Sequence, residues 1–113
     1  MHEMSLMEGI FNIIGEAIEG RQVSRVTKVS LKVGVLTNAV PEALQMCFQF
    51  YARGTPVEGG EMVIEEVPLV IKCGECGAEQ KLDEPVFLCP NCESARVDTI
   101  SGRELLVESL EVE

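Results

Sequence analysis

The sequence predicts an α+β fold: two helices packed on a small mixed three-stranded sheet, with a cysteine-rich lobe inserted before the last strand. Three observations carry the prediction. Apolar residues recur at helical spacing in two stretches, and they alternate with a period of two in others. Two Cys-x-x-Cys pairs, Cys73/Cys76 and Cys89/Cys92, lie twelve residues apart. Residues 1–72 and 99–113 are expected to form the α+β domain, and residues 73–98 the insert.

The first helix is expected over Ser5–Ile18. Leu6, Ile10, Ile13, Ile14, Ala17 and Ile18 share one face, and Glu8, Asn12, Glu16 and Glu19 lie on the other. Ser5 and Glu8 match a capping box, and Gly20 supplies the stop. Met4 and Met7 fall at helical spacing and read as packing residues. From Val26 to Val35, Val29, Leu31, Val33 and Val35 alternate with Lys28, Ser30, Lys32 and Gly34, which suits a strand with one wet face. Thr37-Asn38 turns the chain into a second helix opened by Pro41, carrying Leu44, Cys47, Phe48 and Tyr51 inward and closed by Gly54. Cys47 there reads as a buried small hydrophobe. A strand follows over Glu61–Lys72, with an irregularity at Pro68, and the last strand spans Glu104–Glu111.

Each Cys-x-x-Cys pair forms a knuckle aiming two thiolates at one point, and a short hairpin can bring Cys73, Cys76, Cys89 and Cys92 into one tetrahedral cage. Four thiolates leave no open coordination position, so the expected occupant is a structural zinc in a four-cysteine zinc ribbon. The alternatives are a disulfide framework and a rubredoxin-like iron site. A zinc hydrolase is disfavoured, because the cage has no place for an activated water.

The chain has 113 residues, 46% of them hydrophobic but only 4% aromatic, with no Trp, so aliphatic side chains must fill a modest core. The net charge of −10 argues against nucleic acid, and Glu75, Glu79, Asp83, Glu84 and Glu93 flank the cysteines where a phosphate-binding ribbon would need a basic stripe. No apolar run reaches membrane-spanning length and no charged-then-apolar leader is visible, so the expected compartment is the cytoplasm. A docking module that takes up zinc alone is the second function class consistent with these features.

Met1-His2-Glu3 carries the sole histidine. The terminal amine, the next backbone amide and the imidazole Nδ1 of His2 can close adjacent chelate rings around one metal. The Glu3 amide can complete a square plane, a geometry suited to Ni(II) or Cu(II) rather than zinc. A helix starting just after Glu3 would help, since first-turn amides have no intrahelical acceptor. A bulky His2 favours retention of Met1.

These residues resemble the HypA/HybF family, the nickel metallochaperones of [NiFe]-hydrogenase maturation. The resemblance spans the whole length. It rests on Met1-His2-Glu3-Met4-Ser5-Leu6, Pro41-Glu42-Ala43-Leu44, the two cysteine pairs and Glu108-Ser109-Leu110. It implies a carrier rather than an enzyme. Ni(II) would bind through His2, with Met1 and Glu3 as candidate co-ligands, and zinc would be structural. The expected partners are the GTPase HypB and the hydrogenase large-subunit precursor, and some relatives also serve urease maturation. Some members carry a further histidine in or near the zinc lobe. This chain has none, so a distal ligand would fall to a group such as Asp98 or Glu93.

Overall fold

A computed structural model describes residues 3–113. Helix α1 spans Glu3–Ile18, strand β1 Val26–Gly34, helix α2 Pro41–Ala52, and strands β2 Glu61–Val67, β3 Leu69–Cys73, β4 Glu79–Leu82, β5 Val97–Ser101 and β6 Leu105–Val112. A short 3-10 turn, Val35–Thr37, follows β1.

Two three-stranded sheets form. In the first the order is β2-β1-β6, with β1 parallel to β2 and antiparallel to β6. This is the mixed sheet the sequence predicts, and α2 makes the crossover that a parallel pair requires. Both helices pack on its inner face. Leu6, Met7, Ile10 and Ile14 of α1 and Leu44, Phe48 and Ala52 of α2 meet Val26, Val29, Leu31, Val33 and Met62 of the sheet. Phe11 bridges the helices, its ring 5.8 Å from Phe48 and 5.7 Å from Tyr51. The outer face is wet, and Lys28 and Lys32 pair there with Glu111 and Glu65.

Five local expectations change. Helix α1 already includes Glu3, so Ser5 is an exposed residue of its first turns and not a cap. The buried stripe of α1 takes in Met7, which is fully covered, and leaves Ile13 about half exposed, because β6 is an edge strand and the sheet ends beneath that flank of the helix. Cys47 packs against the core from its margin and is only partly buried, since Leu44 and Phe48 take the central places on α2. The single strand expected over Glu61–Lys72 is two strands in different sheets. Pro68 cannot donate a ladder hydrogen bond, and the chain changes sheets there. The last strand, expected over Glu104–Glu111, runs over Leu105–Val112 and contains a bulge: Leu31 and Ser30 of β1 face Val107 and Ser109, leaving Glu108 unmatched.

The second sheet, β4-β3-β5, draws on Leu69–Ser101 and carries the cysteine knuckles. The two sheets meet where Gly34 crosses Gly102. The Gly34 amide donates to the Glu104 carbonyl (2.6 Å) and the Leu36 amide to the Gly102 carbonyl (2.8 Å). A Cβ on Gly34 would fall on the Gly102 carbonyl, and Gly102 itself has φ 115°, so both positions demand glycine. The Glu104 carboxylate accepts from the Gly102 amide at 2.6 Å and closes the junction.

Candidate metal centre

Each knuckle is built the same way, sixteen residues apart. The Cys73 amide donates to the Ala78 carbonyl and the Cys89 amide to the Ser94 carbonyl. In return the amides of Gly77 and Glu93 donate to the carbonyls of Cys73 and Cys89. Both turns need a left-handed residue after the second cysteine: Gly77 has φ 75° and Glu93 has φ 63°. Glycine is suited to this conformation. Glu93 adopts it at a cost of about 1–2 kcal/mol, which the surrounding turn bonds offset.

The folding of β3 onto β4 and β5 brings the knuckles together. All four Sγ atoms lie within 4.8 Å of one another, and this is the sole such grouping of His, Cys, Asp and Glu among the described residues. The Sγ atoms of Cys73 and Cys92 are 3.5 Å apart and those of Cys76 and Cys89 are 3.6 Å apart. A tetrahedron with metal–sulfur bonds of about 2.3 Å has edges of roughly 3.8 Å, so the cage fits an ion of that size. All five cysteines are free thiols in the described residues. Cys73 and Cys89 are buried and Cys76 and Cys92 exposed, so the cage is open to solvent on one side. The cluster is consistent with a zinc ribbon.

Backbone and side-chain donors already aim at the sulfurs. The amides of Cys76 and Glu75 each donate to Cys73 Sγ at 3.4 Å, and these bonds lower its pKa. The Cys76 thiol is lowered from 9.0 to about 6, first by the Ala78 amide and then by the Asn91 side chain, whose Nδ2 is 3.6 Å away. Cys92 moves the other way. The Ser94 amide lowers its pKa, but the crowding sulfurs of Cys73, Cys76 and Cys89, with partial burial, outweigh it and push the thiol up to about 12. Asn91 is a site residue that sequence reasoning missed. Its signal, a side-chain amide within the second knuckle, is visible only once the knuckles face each other.

These directions set the pH dependence of metal binding. At neutral pH the metal-free cage holds Cys76 as thiolate and Cys92 as thiol, so metal entry must release the Cys92 proton. Cys76 has a depressed pKa. Its charged form is present above about pH 6 and is lost as the pH falls through that value, so below it metal entry must displace one further proton. In chelator competition, apparent affinity should fall with pH, and the slope of log K against pH should steepen by about one below pH 6.

The other predicted metal residues divide. Met1 and His2 lie outside the described residues. Glu3 opens α1, and its carboxylate Oε2 accepts from the Val40 amide at 3.2 Å, at the start of α2. Asp98 lies on β5 opposite Lys72, and Glu93 in the second knuckle; neither joins the thiolate cluster.

Residues 1–112 match the family described as hydrogenase/urease nickel incorporation, metallochaperone, hypA. The chain belongs to the HypA family. Among relatives named hydrogenase maturation factor HypA, that of Desulfitobacterium hafniense is 47% identical over 113 residues, covering 100% of this chain and 99% of its own length. Those of Desulfosudis oleivorans and a Nostoc species are 44% and 38% identical, covering 98% and 96% of their own lengths. The solution structure of the Ni metallochaperone HypA from Helicobacter pylori shares the fold, with a TM-score of 0.70 at 20% identity over 99% of this chain and 97% of that one. A second HypA solution structure superposes with a TM-score of 0.73 at 20% identity, covering 100% and 97%. HypA proteins are nickel metallochaperones for hydrogenase maturation, so the chain is a carrier and not a catalyst. No helix of the described residues is long and apolar enough to cross a membrane.

Proposed function

We propose that this HypA chain binds Ni(II) at its amino terminus and delivers it to the [NiFe]-hydrogenase large-subunit precursor, working with the GTPase HypB, while zinc holds the four-cysteine ribbon in shape. The observation that carries this reading is the separation of two kinds of donor. The one cluster among the described residues is four thiolates, a closed set that suits structural zinc and offers cargo no open position. The sole imidazole of the chain stands at residue 2, beside the terminal amine. Nickel's preference for a nitrogen plane therefore directs it to the Met1 amine, the His2 amide and imidazole, and the Glu3 amide.

Five free cysteines fit a reducing compartment, and this reading assigns the protein to the cytoplasm. The acidic surface disfavours nucleic acid as a partner. Urease maturation proteins are a second destination for the same cargo.

The test is metal analysis on untagged protein with its native Met1. Purified material should retain one zinc. On titration it should take up one nickel and develop the absorption of a diamagnetic square-planar centre. A protein that keeps its zinc but takes up no nickel would be a docking module instead.

A further inference from the structure

We propose that the groove between α1 and α2 is a docking site for an amphipathic helix of a partner protein, apolar along one face and rich in lysine or arginine along its margins.

Two side chains point to this surface. Met46 and Phe50 are 75% and 59% exposed, the highest values among the large apolar side chains of the described residues. They stand four residues apart on α2 and so share a face. The core does not use that face, because the buried stripe of α2 is Leu44, Phe48 and Ala52. Scattered exposed apolar residues are ordinary, whereas contiguous ones mark contact surfaces. Here aromatic rings carry the apolar surface across the helix pair. Phe50 meets Tyr51 edge-on at 5.9 Å, and Tyr51 lies 5.7 Å from Phe11 of α1. Beside Tyr51 the surface dips into a groove of about 340 Å³, lined by Phe11, Gly15 and Ile18 of α1 and by Tyr51, Pro56 and Val57.

Gly15 deepens the groove. A glycine inside a helix is unfavourable relative to alanine. The fold does not require one here, since no heavy atom lies within 4 Å of where its Cβ would stand. A missing side chain over open space lets a partner's side chain approach the helix closely.

Charge selects the occupant. The two helices run parallel: Glu3 reaches Val40 at their starts, and Ile18 and Pro56 line the groove at their far ends. Both C-terminal ends, each with partial negative charge, therefore lie at one end of the groove, and neither last turn carries a basic residue. Within the helices the charged residues are Glu3, Glu8, Glu16 and Glu42, all acidic, and Glu8 lines the groove itself. Arg21 and Arg53 follow the helices, outside them, and neither lines the groove. Such a field favours a cationic segment, whose lysine or arginine stems cover apolar surface while their heads reach the acids. A groove between two helices suits a third helix. A second copy docking by the same face would set acids against acids, and neither helix of this chain has a basic residue to offer.

The test uses the full-length protein and a labelled synthetic peptide with a leucine stripe at helical spacing and lysines elsewhere. Two controls accompany it: the same composition scrambled, and the same stripe with glutamates in place of the lysines. The lysine peptide should bind saturably, gain helical circular dichroism, and shift the amide resonances of Phe11, Gly15, Phe50 and Tyr51. Both controls should bind at least about 10-fold more weakly. The double variant Met46→Ser with Phe50→Ser should lose about 10-fold or more in affinity, as truncated interface anchors do. Gly15→Leu should weaken binding by a similar factor while raising Tm, because leucine is the better helix former; loss of binding with gain of stability cannot be unfolding. Equal binding of the scrambled peptide would reduce the effect to bulk charge attraction and overturn the proposal. So would equal binding of the glutamate peptide, or wild-type affinity in Gly15→Leu. A dimer of the unliganded protein that Phe50→Ser dissociates would also overturn it, since the occupant would then be a second copy.

Discussion

Replacing Cys76 by Ser should release the ribbon's metal and melt Leu69–Ser101 while leaving the helices folded. The ribbon has little else to hold it. Apart from Cys73 and Cys89 of the thiolate cluster, its fully buried apolar side chains are Leu69 and Ile71. Two such residues bury too little apolar surface to offset the entropy lost in ordering the lobe. A metal bound in the cage would supply much of what is missing, because its binding free energy is folding free energy. The first body has its own core from α1, α2, β1 and β2 and does not depend on the cage. Limited trypsin digestion gives the readout, since Lys72, Lys81 and Arg96 lie in the ribbon. The variant should be cut there first, with zinc content near zero and helical circular dichroism retained. Full zinc content and full protease resistance would contradict the assignment of Cys76 as a ligand.

Nickel binding should be lost on substitution of His2 by Ala, and equally on addition of Gly-Ser ahead of Met1, with the ribbon's metal untouched. In a chelate each donor acts at the effective concentration set by its short tether, so removing one linked donor costs on the order of 10²-fold or more in affinity. The extension moves the terminal amine away without altering any side chain, which separates loss of the amine from loss of the imidazole. Isothermal titration with nickel, run beside zinc analysis, reads both sites at once. Stoichiometric nickel binding of unchanged affinity in either variant would move the cargo site elsewhere.

The parts of the fold that were legible are those encoded over short distances in sequence. Cys73, Cys76, Cys89 and Cys92 state their chemistry in two four-residue turns, and the structure brings all four together. Gly20 and Gly54, both with φ 74°, follow the helices they were expected to end. What was not legible depends on pieces far apart in the chain. Nothing near Val40 announces that Glu3 will satisfy its amide. Gly34 looks like an outward strand residue until Gly102 crosses it. Pro68 was readable as an irregularity but not as a change of sheet, because the residues on either side, Val67 and Leu69, suit a strand equally well. β5 escaped notice for a related reason: its Val-Asp-Thr-Ile-Ser alternation is short and gains its register only from β3.

The unmatched Glu108 in β6 bears on how these molecules tolerate one another at high concentration. An open sheet margin invites a second margin to zip onto it, and repeated zipping ends in fibres. Here the outermost strand carries an extra residue that breaks its spacing, and that residue bears a negative charge, as does Glu111 further along. A neighbouring copy arriving margin to margin would find its hydrogen-bonding rhythm interrupted and its acids facing acids. The carrier is thereby discouraged from settling on itself.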